Sequence, residues 1–146
     1  MSNIESLVKV LKIIHFAMLM GMIVLGIAAW VVTEKGTVPL MPTEQDSIFF
    51  YAALMMASSA AIVGFLLQKR DKETIKEINE MEEKVVFYRS ATIRHFAIIE
   101  GVALLNTIFF MITADIKILI VTVFMLLYFL TLQPGVVKVK QIFGVF

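Results

Sequence analysis

Apolar residues fall into four long runs separated by blocks of charge. The first, residues 13–33, holds 21 positions without Asp, Glu, Lys or Arg, and the second, residues 47–68, holds 22. The third, residues 93–113, carries Arg94, His95 and Glu100, and the fourth, about residues 116–133, is the shortest. The runs are continuous rather than alternating, which predicts helices and argues against barrel strands. A hydrocarbon core about 30 Å thick takes roughly 20 helical residues to cross. The pattern therefore predicts an all-α membrane protein, one four-transmembrane-helix bundle over residues 1–146 with a helical connector at 69–92.

The connector has its own pattern. Ile75, Ile78, Met81, Val85 and Tyr88 recur at spacings of three or four, and Glu80 precedes Lys84 in the favourable order for an i,i+4 pair. Six acidic and six basic residues between positions 69 and 89 cancel. The expectation is that the second and third helices project beyond the membrane and lean together. Ser2-Asn3-Ile4-Glu5 and Thr43-Glu44-Gln45-Asp46 have capping-box spacing, and Asp115 is placed to cap the fourth helix. Gly36, Pro39 and Pro42 predict an irregular loop before the second span, and Pro134-Gly135 ends the fourth.

Composition narrows the function classes. The chain is 60% apolar and only 17% charged, with a mean hydropathy of +0.89. That excludes a soluble enzyme and a disordered tail. With no cysteine there is no disulfide scaffold, and a net charge of +1 gives no basic excess for nucleic acid. Eleven of the thirteen Lys and Arg lie before the first span, in the connector with Arg94 at its edge, or after the fourth span. The positive-inside rule then places both termini and the connector in the cytoplasm of an inner (plasma) membrane protein. Trp30, Phe49, Phe50, Tyr51, Phe109 and Phe110 gather at the opposite ends of their spans as interfacial anchors. Lys9, Lys12 and the apolar run that follows imitate a signal peptide, but the run continues to Val32 and reads as an uncleaved anchor helix.

An internal likeness links the first and third spans at a shift of 80, with seven identities in 21 positions. His15-Phe16-Ala17 faces His95-Phe96-Ala97, Gly21 faces Gly101, and Trp30 faces Phe110. The second and fourth spans share little beyond Leu67-Gln68 and Leu132-Gln133. This suggests a duplicated helical hairpin with both copies running outward. Ala17 with Gly21, Ala97 with Gly101, and Ala57 with Ala61 are expected helix-packing positions, because small residues let membrane helices approach closely.

Glu100 is the costly residue, an acid about 10 Å past Arg94 along its helix. Ala97, Ala103, Asn106 and Thr107 share its face, and Ser58 and Ser59 reach a similar depth on the second span. Glu100 is therefore expected to be protonated or hydrogen-bonded to the second helix, as an ion or proton site with Ser58, Ser59 and Asn106, or as a packing staple. His15 and His95 lie at equal depth on parallel helices, so a bis-His haem b site is a further candidate. Arg89 and Arg94 are expected to snorkel to inner-leaflet headgroups, with a headgroup pocket between the third helix and Lys69-Arg70. Phosphate loops, paired-Cys metal spacings and nucleophile elbows do not occur. The expectation is a non-enzyme without a resident cofactor or metal.

The segment from Tyr88 through Arg94-His95-Phe96-Ala97-Ile98-Ile99-Glu100-Gly101 to Leu105 resembles a segment of small four-span bacterial membrane proteins without assigned activity. That resemblance implies an inner-membrane helical protein and transfers no catalytic residue. A fainter one is to the proteolipid subunits of rotary ATPases, in which a helix after a cytoplasmic loop carries the ion-binding carboxylate. Glu100 has that place, but the connector is long and charged and the glycine-rich helix is missing. The expected role is an accessory or structural component in the lipid bilayer, partnered by itself or another membrane protein. A proton- or ion-coupled role for Glu100 is the alternative.

Overall fold

A computed structural model describes residues 3–34 and 46–144. Among them are five helices and no strand: α1 (Asn3–Glu34), α2 (Asp46–Glu77), α3 (Met81–Thr113), α4 (Ile116–Thr131) and α5 (Val136–Phe143). The capping spacings at Ser2 and Thr43 and the loop with Gly36, Pro39 and Pro42 involve residues outside those described. α1, α2 and α3 are each long and apolar enough to cross a membrane. α4, with 16 residues, extends about 24 Å, short of a bilayer core. It is followed by α5 at a bend of 66°, so the pair makes at most one broken span.

The connector is almost wholly helical. α2 runs on to Glu77, three residues break the chain, and α3 starts at Met81. Asp115 caps α4 as its position implies, accepting the Lys117 backbone N–H at 2.9 Å. α3 ends on Ala114 in the left-handed region (φ 54°), a place where glycine is usual. α5 was not foreseen, because Pro134-Gly135 reads as a stop. The chain instead turns there and starts again, with Gly135 extended and Gly144 (φ 69°) closing the helix.

α3 is the axis of the bundle and packs against α1, α2 and α4, whereas the α1 and α2 backbones come close at few positions. The α3–α4 hairpin therefore has no counterpart in an α1–α2 hairpin. The shift of 80 has a direct structural echo. Trp30 stacks on Phe110 (centroids 6.3 Å apart) and His15 lies 5.1 Å from Phe96, so α1 and α3 run parallel and in register.

Three tiers of core follow the axis. One end joins Ala29, Ala53, Phe110 and Ile118 to Phe49 and Phe109. The middle is Met22, Ala60, Phe96, Ile99, Ala103, Met125 and Phe129. The connector end packs Ile4, Leu7, Val8 and Leu11 of α1 against Ile75, Val139 and Phe143, with Val85, Phe87 and Tyr88 beside them. The connector stripe thus closes over α1 and α5. Large apolar residues such as Phe16, Ile27, Met55, Phe65 and Phe124 are exposed around the bundle, as a helix surface facing lipid would be.

Candidate functional site

Most hydroxyls along the bundle are occupied by their own helices. Thr107 donates to the Ala103 carbonyl, Thr122 to Ile118 and Thr113 to Phe109, each at 2.9–3.0 Å. Such back-bonding satisfies the side chain locally and leaves nothing for a ligand. The polar groups with unspent capacity are fewer: His95, Asn106 and Glu100.

Glu100 is not where the sequence placed it. The buried face of α3 is Ala91, His95, Phe96, Ile99, Ala103, Asn106, Thr107, Phe110 and Thr113. Glu100 lies at the edge of that face, half-exposed, between exposed Ala97 and exposed Gly101. Among the described residues it has no hydrogen bond or ion pair. Ser58 and Ser59 are both exposed, and the Ser58 hydroxyl donates to the Leu54 carbonyl at 2.8 Å. The expected cluster of Glu100, Ser58, Ser59 and Asn106 is therefore not assembled. The reason is physical: lipid and protein core are equally apolar, so a small, polar stripe does not mark the inward face.

The same ambiguity moved the packing positions. Ala17, Gly21, Ala97 and Gly101 are exposed, and a Cβ built on Gly21 or Gly101 meets nothing within 4 Å. Ala57 and Ala61 are only half-buried. Close approach inside the chain uses Ala29, Ala53, Ala60, Gly64 and Ala103 instead.

The two histidines do not face each other across a haem-sized slot. His15 is buried, its Nε2 lies 2.9 Å from the Phe129 carbonyl, and its ring stacks on Phe129 at 4.5 Å. That carbonyl belongs to the last turn of α4, where it also accepts the Leu132 backbone N–H at 3.0 Å in place of an i+4 donor. His15 thus serves as a clamp between α1 and the end of α4. His95 is 8% exposed, and its Nε2 is buried with no hydrogen-bond partner. It fits because α2 has Gly64 there, since a Cβ at that position would collide with His95 Nε2 and come within 3.0 Å of Cδ2. Asn106, fully buried, donates weakly to Met125 Sδ at 3.8 Å and leaves Oδ1 without a partner.

Arg94 is also reassigned. Its Nη2 contacts both carboxylate oxygens of Asp71, at 2.8 and 3.0 Å, tying α3 to the projecting end of α2. It is not a free headgroup ligand. Arg89 is exposed.

A cavity of about 60 Å³ opens beside this ion pair, where α2, α3 and the α4–α5 bend converge. Gln68, Asp71, Lys72 and Ile75 line it from α2, and Tyr88, Ala91, Thr92, His95 and Phe96 from α3. Leu132, Gln133, Pro134, Lys138 and Ile142 complete it. Burial raises the Tyr88 pKa, an effect partly opposed by a hydrogen bond with Thr92. The sequence did contain a signal for this place. Gln68 and Gln133 are the shared Leu-Gln ends of the second and fourth spans, and they meet on one cavity. Lys72, Lys138 and Asp71 gave no such signal, because each looks like any charge beyond a span end.

No group of three or more His, Asp or Glu among the described residues is arranged to hold a metal ion. Comparison with family models, with curated proteins and with solved structures gives no match.

Proposed function

We propose that the chain is a four-span helical bundle of the inner membrane, with termini and connector cytoplasmic, that acts as a self-associating accessory component. In this arrangement α1, α2 and α3 cross completely, α4 forms the fourth span, and α5 lies at the cytoplasmic surface. The charge asymmetry of the chain supports this orientation. The likeness between α1 and α3 supports descent from a duplicated hairpin whose second helices have diverged. We assign it no enzymatic chemistry.

One observation carries the association: Glu100 is an unpaired acid on an outward-facing flank, midway along a span. A carboxyl left against hydrocarbon is costly. A second copy of the chain relieves that cost if its α3 or α1 brings a hydrogen-bonding or small-residue surface to the flank. Ala97, three residues before Glu100, and Gly101, the residue after it, leave room for such an approach.

The oligomeric state of the full chain, by native mass spectrometry from mild detergent and in lipid nanodiscs, tests this. Wild type should form a defined oligomer. Gly101→Leu and Ala97→Leu should convert it to monomer with unchanged helicity. Glu100→Leu should weaken association about 5- to 30-fold, the worth of an interhelical hydrogen bond of about 1–2 kcal/mol. Glu100→Gln, which still hydrogen-bonds, should retain it. A monomer at every concentration, or an oligomer indifferent to Gly101→Leu, overturns the proposal. The same unpaired acid favours a second function, proton coupling, and Glu100→Gln separates the two. Coupling would be lost in that variant and association would not.

A further inference from the structure

The cavity at the α4–α5 bend has the chemistry of an oxyanion site. Its one acid, Asp71, is already neutralised, with both carboxylate oxygens held by Arg94 from outside the cavity lining. Apart from apolar side chains, the rest of the lining is positive or neutral and hydrogen-bonding. Lys72 arrives from α2 and Lys138 from α5, two elements far apart in sequence, and Gln68, Gln133 and Thr92 add neutral polar groups. His95 lines the same cavity, but its unpartnered Nε2 is packed against Gly64, outside the lining, and takes no part in the site. α5 also begins at this bend. Its N-cap is Gly135, and of its first turn only Lys138 lines the cavity. The start of a helix carries partial positive charge.

The position matters as much as the charge. Gln68 and Gln133 end the second and fourth apolar runs, so the cavity lies at the level where hydrocarbon gives way to headgroups. Basic pockets at this level between membrane helices suit anionic headgroups.

We propose that this cavity binds a phosphate group, with Lys72 and Lys138 supplying charge and Gln68, Gln133 and Thr92 supplying hydrogen bonds. The phosphate can come from an anionic phospholipid headgroup or from a free phosphate ion, since the recognising chemistry is shared. This assignment is independent of how the α3 flank associates.

The test uses the full chain in neutral detergent with a phosphatidylcholine background. Thermal stability and lipid retention are followed while phosphatidylglycerol, or inorganic phosphate, is titrated in. Saturable stabilisation by phosphatidylglycerol alone supports the lipid source, and saturable stabilisation by inorganic phosphate as well supports the free ion. In K72Q/K138Q the apparent affinity should fall about 30-fold, as expected when two lysines near a negative surface are lost. Lys72 and Lys138 are exposed enough for the variant to fold, which an unchanged circular dichroism spectrum and melting temperature without ligand would verify. K9Q/K12Q, which removes two exposed lysines elsewhere on the chain, should retain wild-type affinity. Absence of saturable stabilisation by either probe overturns the proposal. So does an equal loss in K72Q/K138Q and K9Q/K12Q, which would reduce the effect to general surface charge.

Discussion

Gly64→Ala should change sign with its neighbour. In the interior of α2, alanine would ordinarily gain up to about 1 kcal/mol over glycine from backbone entropy. Here the new methyl meets the His95 ring, whose Nε2, Cδ2 and Cε1 are the nearest atoms to the added Cβ. His95 is buried on α3 and cannot swing into solvent, so something in the α2–α3 contact must shift. Overpacking of this kind costs about 1–3 kcal/mol. The expected net effect of Gly64→Ala is therefore a loss of about 0.5–2 kcal/mol. In a His95→Ala background the obstacle is gone, and the same substitution should stabilise by up to about 1 kcal/mol. Reversible unfolding in mixed micelles, followed by circular dichroism across the four proteins of the cycle, measures the coupling, expected at about 1–3 kcal/mol. Equal effects of Gly64→Ala in the two backgrounds would refute the close contact. A stabilised Gly64→Ala with His95 present would refute it too.

Asn106→Leu removes a buried amide whose Oδ1 has no partner and whose donor reaches only a sulfur. It should be neutral or stabilising by up to about 2 kcal/mol in the same unfolding assay, and a loss of that size would show that the amide is satisfied in the membrane. Tyr88 gives a pH signature. Burial raises its pKa above the ordinary value near 10, so the folded state holds its proton after the unfolded chain has released it. Its contribution is fully present below pH about 10 and is lost as pH rises towards the raised folded value. Tyrosinate absorbance should show a late-titrating tyrosine that Tyr88→Phe removes, and Tyr88→Phe should flatten the alkaline decline in stability.

What the sequence conveyed best was long-range register along the membrane normal. A gap-free match at a shift of 80 needs two helices of equal polarity, and His15 beside Phe96 and Trp30 on Phe110 are its physical expression. Charge blocks located the spans for the same reason: crossing lipid is a strong constraint on composition. Facing direction was far less legible. In water the apolar side of a helix points inward, but in lipid both sides are apolar, so the stripe through Ala97, Glu100 and Gly101 could not be oriented from its residues. Small residues on α1 and α3 look like internal contacts and lie outside, whereas Gly64, one of the many small residues on α2, is the position where a side chain cannot fit. The short α5 was hidden by a Pro-Gly pair that signals a stop equally well whether the chain leaves or turns back. The cavity beside it depends on that turn; the paired Leu-Gln ends hint at it, and the headgroup pocket expected near Lys69-Arg70 is close to it, although neither of those residues lines it.

The sparse approach of the α1 and α2 backbones has a consequence for biogenesis. These helices are made before α3, yet their backbones approach each other at few places. Their shared partner is α3, whose first turns are themselves the second half of the charged connector. The first half of the chain must therefore wait in the bilayer as two separately inserted helices, and the bundle is gathered when α3 arrives between them. Synthesis halted after α2 would leave no smaller version of this fold, only two solitary helices exposed to the quality-control machinery of the membrane.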